Sequence, residues 1–403
     1  MKVLYTFGGV PHYLDALLRK QQAKGAQIVT VTPAKGNATI GEGVKMVDDN
    51  GAYRRLTATE KRSWYGKPAF AELPAIVRSE KPDILVTGWP YFLQLFFQPD
   101  LRRAIDESGT KVMIREIPFQ TPPFGKVGDY FAQRPMIDEN MNIVSKGLAF
   151  RMRQLATMWV RKYCYSKAAA TLNYASVAYD ILPSYGVKPE QIHVTYNATD
   201  TEALLGERER VLQNEPILPP SSHRILHIGR LVKWKRVDLL IEALPVVLEQ
   251  FPDAELVVVG DGPELENLRR QACEAGLESH VRFIGSVYDP LTLGAYMHES
   301  SVYVLAGMGG LSINDAMTYG MPVICSVCDG TERDLVTEGK NGFFFRDGDA
   351  TDLAQKITTL FASPALCEAM RKESQRIIRE EINLDTVADR YLAAFRKVLN
   401  KQD

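Results

Sequence analysis

Ile225-Leu-His-Ile-Gly229-Arg230-Leu-Val-Lys-Trp-Lys235-Arg236-Val-Asp238-Leu-Leu-Ile-Glu-Ala243 decides the fold of the second half of the chain. A buried apolar strand stops at Gly229, cations occupy the loop, and an amphipathic helix begins. In an α/β fold this junction lies at the carboxyl end of a strand, where fixed positive charge meets a diphosphate. A nucleotide-linked substrate is the implication. Taken alone, the run suits a solvated basic loop equally well.

The pattern repeats on both sides. Leu256-Val-Val-Val-Gly260-Asp261-Gly262-Pro263 reads as a second strand with a glycine turn, and Val281-Arg-Phe-Ile-Gly285 as a third. Val302-Tyr-Val-Leu-Ala306 runs into Gly307-Met-Gly309-Gly310-Leu311-Ser312-Ile313-Asn314-Asp315, with a helix expected from about Ile313 to Tyr319. Toward the N-terminus, Lys2 to Phe7, the Gly8-Gly9 loop, a helical pattern over Tyr13 to Gln22 and a strand over Gln27 to Val31 read as a βαβ unit. Further strands are expected over Pro82–Thr87, Lys111–Arg115, Ala168–Tyr174 and Gln191–Tyr196.

The order and wording of these motifs resemble the GT-B glycosyltransferases, specifically the large retaining family 4, over nearly the whole chain and most strongly from about residue 224 to about residue 350. The resemblance implies an α/β architecture of two Rossmann-like βαβ domains facing across a cleft. Residues 1–205 would form the acceptor domain, 206–223 a proline-rich linker, 224–380 the nucleotide-sugar donor domain, and 381–403 a helix crossing back to the first domain. The activity implied is transfer of a sugar from a nucleoside diphosphate sugar to an acceptor hydroxyl, with retention and without a metal, in glycan or polysaccharide assembly. The alternative is a nucleotide-sugar-binding subunit of weak or no activity.

Carried over by position, the resemblance makes Arg230 and Lys235 the diphosphate clamp, the charge-stabilising role that a departing nucleotide demands. Gly229, Gly309, Gly310, Leu311 and Ser312 would cradle the phosphates by backbone, Asp315 would accept from the ribose, and Ile284 would lie at the base, within Phe283 to Ser286. Gly9 and Glu332 join the donor contacts, Glu332 with a helix-capping role as its alternative. The chain departs from the family at two points. Gly307 stands where a glutamate normally touches the donor sugar, leaving backbone groups or Asn314 for that task. Arg115 and Glu116 stand where many members carry a histidine, and Glu116 is either an acceptor-side base or a structural partner of Arg115. His12 is the other basic candidate, with a helix-start surface position as its alternative.

Composition bounds the rest. The 403 residues, 45% hydrophobic, favour two cores, and a net charge of -1 offers no global attraction to nucleic acid. Five scattered cysteines make no disulfide framework, and Cys325 and Cys328 lack a second pair for zinc. Asp347-Gly348-Asp349 resembles a metal motif of another transferase fold but reads as a helix cap, so no metal site and no cofactor beyond the donor substrate is expected. The Met1–Phe7 start is too short for a signal peptide, which implies a cytoplasmic location. The segment from Lys146 to Tyr163 mixes bulky apolar residues with Arg151, Arg153, Arg161 and Lys162. It suits either a core helix with a basic face or peripheral contact with the inner face of a membrane carrying a lipid-linked acceptor, a glycan acceptor being the other partner expected.

Overall fold

Val3, Leu4, Ile28, Val29, Ile84, Leu85, Met113 and Ile114 are sealed from solvent, the burial that a parallel sheet acquires when helices cover both faces. A computed structural model describes the chain except residues 35–45, 118–120, 134, 137, 139–141, 310, 329 and 401–403. The chain divides into two units. The first takes Met1–Met136, Ser145–Asn197 and Leu384–Asp403, and the second is built on Ala198–Asn383.

In the first unit the strands are β1 (Lys2–Thr6), β2 (Gln27–Pro33), β3 (Arg54–Ala58), β4 (Glu60–Arg62), β5 (Pro68–Phe70), β6 (Ile84–Gly88), β7 (Lys111–Glu116), β8 (Ala170–Asn173) and β9 (Ile192–Val194). Seven form a parallel sheet in the order β3-β2-β1-β6-β7-β8-β9, while β4 and β5 make a separate antiparallel hairpin. The chain leaves β1 on one side and returns on the other at β6, which creates a switch point at their carboxyl ends. The Leu384–Val398 helix packs on the His12–Ala23 helix, burying Tyr391 and Phe395, with Lys24 bridging to Asp385 at 2.9 Å and Asp389 at 2.7 Å.

The second unit repeats the plan. Strands β10 (Arg224–Ile228), β11 (Glu255–Val259), β12 (Val281–Gly285), β13 (Val302–Leu305), β14 (Val323–Cys325) and β15 (Gly342–Phe344) run parallel in the order β12-β11-β10-β13-β14-β15. Its switch point falls between β10 and β13.

Three of the segments that differ from the sequence reading have a clear physical reason. Strand β3 was not anticipated, because as an edge strand of mostly accessible residues it carries no apolar run. Part of the 206–223 linker is helical: the helix Thr201–Val211 is capped by Asp200, which accepts the Ala203 amide at 3.3 Å. The last helix starts at Leu384, since the Asn383 side chain donates to the carbonyls of Ile378 (3.1 Å) and Arg379 (2.9 Å) and closes the preceding helix, Pro364–Glu380.

Candidate active site

Close backbone packing builds the cationic loop of the second unit. Past β10, the Gly229 amide donates to Val259 O at 3.0 Å and the Leu231 amide to Asp261 O at 2.9 Å, so the ends of β10 and β11 lie against each other. A β-carbon on Gly260 would come within 1.9 Å of Gly229 O, and one on Gly262 within 2.3 Å of Leu231 O. Both positions therefore need glycine. A short 3-10 turn over Lys233–Lys235 follows, Arg236 takes a left-handed conformation with φ of 54°, and the Val237–Leu248 helix begins. Arg230, half-buried, sits directly after the glycine.

The glycine loop is docked on that turn. Lys235 Nζ donates to Met308 O at 2.9 Å and to Gly309 O at 2.8 Å, and the Met308 amide donates to Trp234 O at 2.9 Å. The Tyr303 hydroxyl lies within hydrogen-bond reach of Ile228 O at 3.2 Å and of Ser312 Oγ at 2.7 Å, tying β13 and the helix Ser312–Thr318 to the end of β10. Lys235, Gly229, Gly309, Leu311 and Ser312 are thus brought together, while Gly310 lies outside the described residues.

Asp315, in the first turn of that helix, has an Oδ1 atom sealed from solvent with no hydrogen-bond partner among the described residues. Burial raises its carboxyl to about 7, offset in part by the Thr199 hydroxyl and reinforced by Glu207. Asn314 is buried. Glu332 is fully buried and accepts the Gly330 amide at 2.9 Å through Oε2, an arrangement that supports its own turn. Ile284 is half-buried on β12, whose last residue, Gly285, accepts the Gly260 amide at 2.8 Å.

His227 is the residue that the sequence reading passed over. Fully buried on β10, it faces Val304 O through Nδ1 at 3.0 Å, and its Nε2 has no partner among the described residues. Burial lowers it to about 4, with Lys235 acting in the same direction, so the ring is neutral at pH 7. Nε2 lies 3.5 Å from where a Gly229 β-carbon would be. Its signal in the sequence was a polar residue in the middle of an apolar strand. A cavity of about 450 Å³ adjoins the cationic turn, lined by Lys233, Arg236, Asp238 and Glu264 among others, with neither Arg230 nor Lys235 in its wall.

In the first unit, Glu116 is buried and pairs with Arg161 rather than Arg115. Its Oε1 accepts Arg161 Nη1 at 2.6 Å and the Tyr165 hydroxyl at 2.8 Å. Burial pushes the carboxyl up, and the Arg161 guanidinium opposes this. Arg161 stacks over Trp89 at 4.6 Å, so it is removed from the basic face on which the sequence reading had put it. Arg115 points elsewhere, its Nε donating to the Tyr391 hydroxyl at 3.1 Å. His12 is exposed at the start of its helix, and Gly9 is half-buried in the turn after β1.

Among the described residues no group of histidines, cysteines and carboxylates could hold a metal, and Asp349 Oδ1 caps a helix by accepting the Asp352 amide at 2.9 Å. No helix among the described residues is long and apolar enough to cross a membrane. The Leu148–Lys167 helix does carry an exposed stripe of Leu148, Met152, Leu155 and Trp159.

Residues 210–377 match the family model of the glycosyl transferases group 1. That match lies within the second unit. The phosphatidyl-myo-inositol mannosyltransferase of Mycobacterium leprae is 32% identical over 177 residues, 41% of this chain and 46% of that protein. The GDP-mannose-dependent alpha-(1-6)-phosphatidylinositol monomannoside mannosyltransferase of Mycolicibacterium smegmatis is 29% identical over 223 residues, 53% of this chain and 54% of that protein. The chain spans about half the length of these curated relatives. HepE from Anabaena, solved with UDP, superposes with a TM-score of 0.68 at 17% identity, covering 98% of this chain and 100% of that one. At that identity the likeness shows the fold, which is GT-B, with two Rossmann-like halves.

Local packing accounts for a glycine at position 307. A β-carbon on Gly307 would lie 2.0 Å from Trp234 O, so the tight seating of the glycine loop on the cationic turn leaves no room for any side chain at this position.

Proposed function

We propose that the protein is a retaining, metal-independent glycosyltransferase that moves a sugar from a nucleoside diphosphate sugar to an acceptor hydroxyl in glycan or polysaccharide assembly. The observation that carries this reading is the docking of Lys235 on the Met308 and Gly309 carbonyls, which fixes a cation at the carboxyl end of β10 beside Arg230. Fixed positive charge there stabilises the diphosphate as the glycosidic bond breaks, at no reorganisation cost during the reaction. The unpartnered Oδ1 of Asp315 suits a ribose hydroxyl as its missing donor. The neutral His227 stiffens the strand end without competing for the phosphate. The departing phosphate oxygen would take the acceptor's proton, so no enzyme nucleophile is required.

The exposed apolar stripe of the Leu148–Lys167 helix, flanked by exposed Arg151 and Arg153 and by Lys162, suits an anionic membrane interface. The lipid acceptors named in the mannosyltransferase relatives favour the same arrangement. A binding subunit without activity is the second reading, favoured by the absence of a side chain at Gly307. A thermal-shift panel of nucleotide sugars followed by a donor-hydrolysis assay separates the two. Hydrolysis of the stabilising donor marks an enzyme, stabilisation without hydrolysis marks the binder, and no stabilisation by any nucleotide sugar rejects both.

A further inference from the structure

Arg115 is a half-buried cation for which no carboxylate among the described residues serves as partner. It stands at the carboxyl end of β7, next to β6, whose other neighbour is β1 across the switch point of the sheet. Its Nε donates to the Tyr391 hydroxyl at 3.1 Å, and its guanidinium carbon lies 5.5 Å from the centre of the Tyr174 ring. The ionisable groups acting on it include Tyr391, Tyr174, Tyr13 and Tyr5, which are phenols and not carboxylates. The adjacent Glu116 gives it no charge, because successive strand side chains point to opposite faces and that carboxylate is committed to Arg161 at 2.6 Å.

A guanidinium held by one phenol and one aromatic face keeps both terminal nitrogens of its fork for another partner, and none of the described residues fills that place. A partly desolvated cation without a counter-charge is costly to keep, and a planar fork is matched by the two oxygens of a carboxylate or phosphate. Ligands of open parallel sheets lie at the carboxyl ends of strands near the switch point, which is where Arg115 and Tyr13 are.

We propose that Arg115, framed by Tyr13, Tyr174 and Tyr391, is an oxyanion-binding site of the first unit that receives a carboxylate or phosphate group carried by the acceptor. This rests on the glycosyltransferase reading for the word acceptor, and the anion site itself stands apart from it. The acceptor is then an acidic sugar or a phosphorylated molecule, and neutral sugars are poor substrates.

The test titrates the full chain with methyl glucuronide, glycerol 3-phosphate and, as the neutral control, methyl glucoside, comparing the unmodified protein with Arg115→Met, Arg115→Lys and the pair Arg230→Ala/Lys235→Ala. The expected result is binding of at least one charged probe but not the neutral one, weakened about tenfold or more in Arg115→Met, the scale of a hydrogen bond to a charged group. Arg115→Lys keeps the charge, loses the fork, and falls between. Should Arg115→Met not fold, as judged by its melting curve, Arg115→Lys carries the comparison. The Arg230→Ala/Lys235→Ala protein, with its own phosphate loop disabled, should keep the Arg115-dependent binding of the charged probe. Glucuronide alone would identify an acidic sugar, and glycerol 3-phosphate alone a phosphorylated acceptor. Equal binding by the unmodified and the folded Arg115 variants, equal binding of the neutral probe, no binding of either charged probe, or loss of binding in the Arg230→Ala/Lys235→Ala protein would each overturn the proposal. Failure of the transferase reading would be seen elsewhere, as nucleotide sugars that neither stabilise the protein nor are hydrolysed, with Arg115-dependent anion binding intact.

Discussion

The α-carbon of Gly307 is pressed against the peptide carbonyl of Trp234, so that a β-carbon there would stand 2.0 Å from the oxygen and 2.8 Å from the carbonyl carbon of Lys235. Backbone cannot swing aside as the end of a side chain can. Gly307→Ala is therefore expected to push the glycine loop off the cationic turn, costing about 1–3 kcal/mol of stability, the range for overpacking. Because the Met308 amide and the Lys235 ammonium hold the two loops together, nucleotide affinity should fall with it. Urea denaturation and nucleoside diphosphate titration check both. Unchanged stability would mean that the loops are not packed in this way.

Lys235 and Arg230 are both open to test by mutagenesis. Lys235→Ala removes hydrogen bonds to two loop carbonyls as well as a charge, so both melting temperature and turnover should drop. Arg230→Ala is expected to lower turnover by about a hundredfold, the scale of one lost charge-stabilising donor. Normal turnover in both variants would remove the phosphate clamp.

Glu116→Gln tests whether that carboxylate is chemical or structural. It leaves the Arg161 guanidinium, within 2.6 Å of Glu116 Oε1, without its counter-charge in a buried position, which costs about 3–5 kcal/mol when one partner of such a pair is removed. Stability should fall, and donor hydrolysis per folded molecule should stay the same. A selective loss of turnover with an unaltered melting curve would return Glu116 to a catalytic role.

The strands that form the two sheet centres were legible because parallel strands buried on both faces read as continuous apolar runs, as Leu256 to Val259 does. The glycines of the cationic turn were legible too, though their reason was not: Gly260 and Gly262 make room for the backbone of Gly229 and Leu231 just after β10, a contact between residues about thirty positions apart that no local pattern encodes. The same limit applies to Glu116. Its neighbour in sequence is an arginine, and its partner is another, Arg161, from a helix 45 residues on. Edge strand β3 and the helix Thr201–Val211 escaped because their charged and polar residues carry no strong period.

The Leu148–Lys167 helix carries Leu148, Met152 and Trp159 at 75%, 58% and 61% exposure, a stripe that nothing among the described residues covers. If it lies on a membrane, the protein should bind vesicles containing anionic lipid, and Leu148→Glu with Trp159→Glu should abolish that binding. Neutralising Arg151, Arg153 and Lys162 to glutamine removes about 1 kcal/mol each, roughly a hundredfold together, and added salt should act in the same direction. Arg161 is left out because it is buried against Glu116. Vesicle sedimentation decides this, and no binding by the unmodified protein ends the membrane reading.

Asp315 should give the donor site a pH dependence. Its folded value is about 7, raised first by burial and then by Glu207, whereas an unfolded aspartate titrates near about 4. Between those values the folded chain holds a proton that the unfolded chain has released, so this group's contribution to stability is present at low pH and is lost as pH rises through about 7. The difference in melting temperature between the unmodified protein and Asp315→Asn should therefore fall steadily from about pH 5 to about pH 8. Nucleotide binding should move the other way. The sealed Oδ1 accepts a ribose hydroxyl best when the carboxyl is ionised, so affinity should climb through the same interval in the unmodified protein and stay level in Asp315→Asn. A melting difference that does not change with pH would mean that Asp315 is already charged at pH 5. A pH-independent affinity alongside a normal melting difference would leave Asp315 as a buried acid of the fold that does not touch the nucleotide.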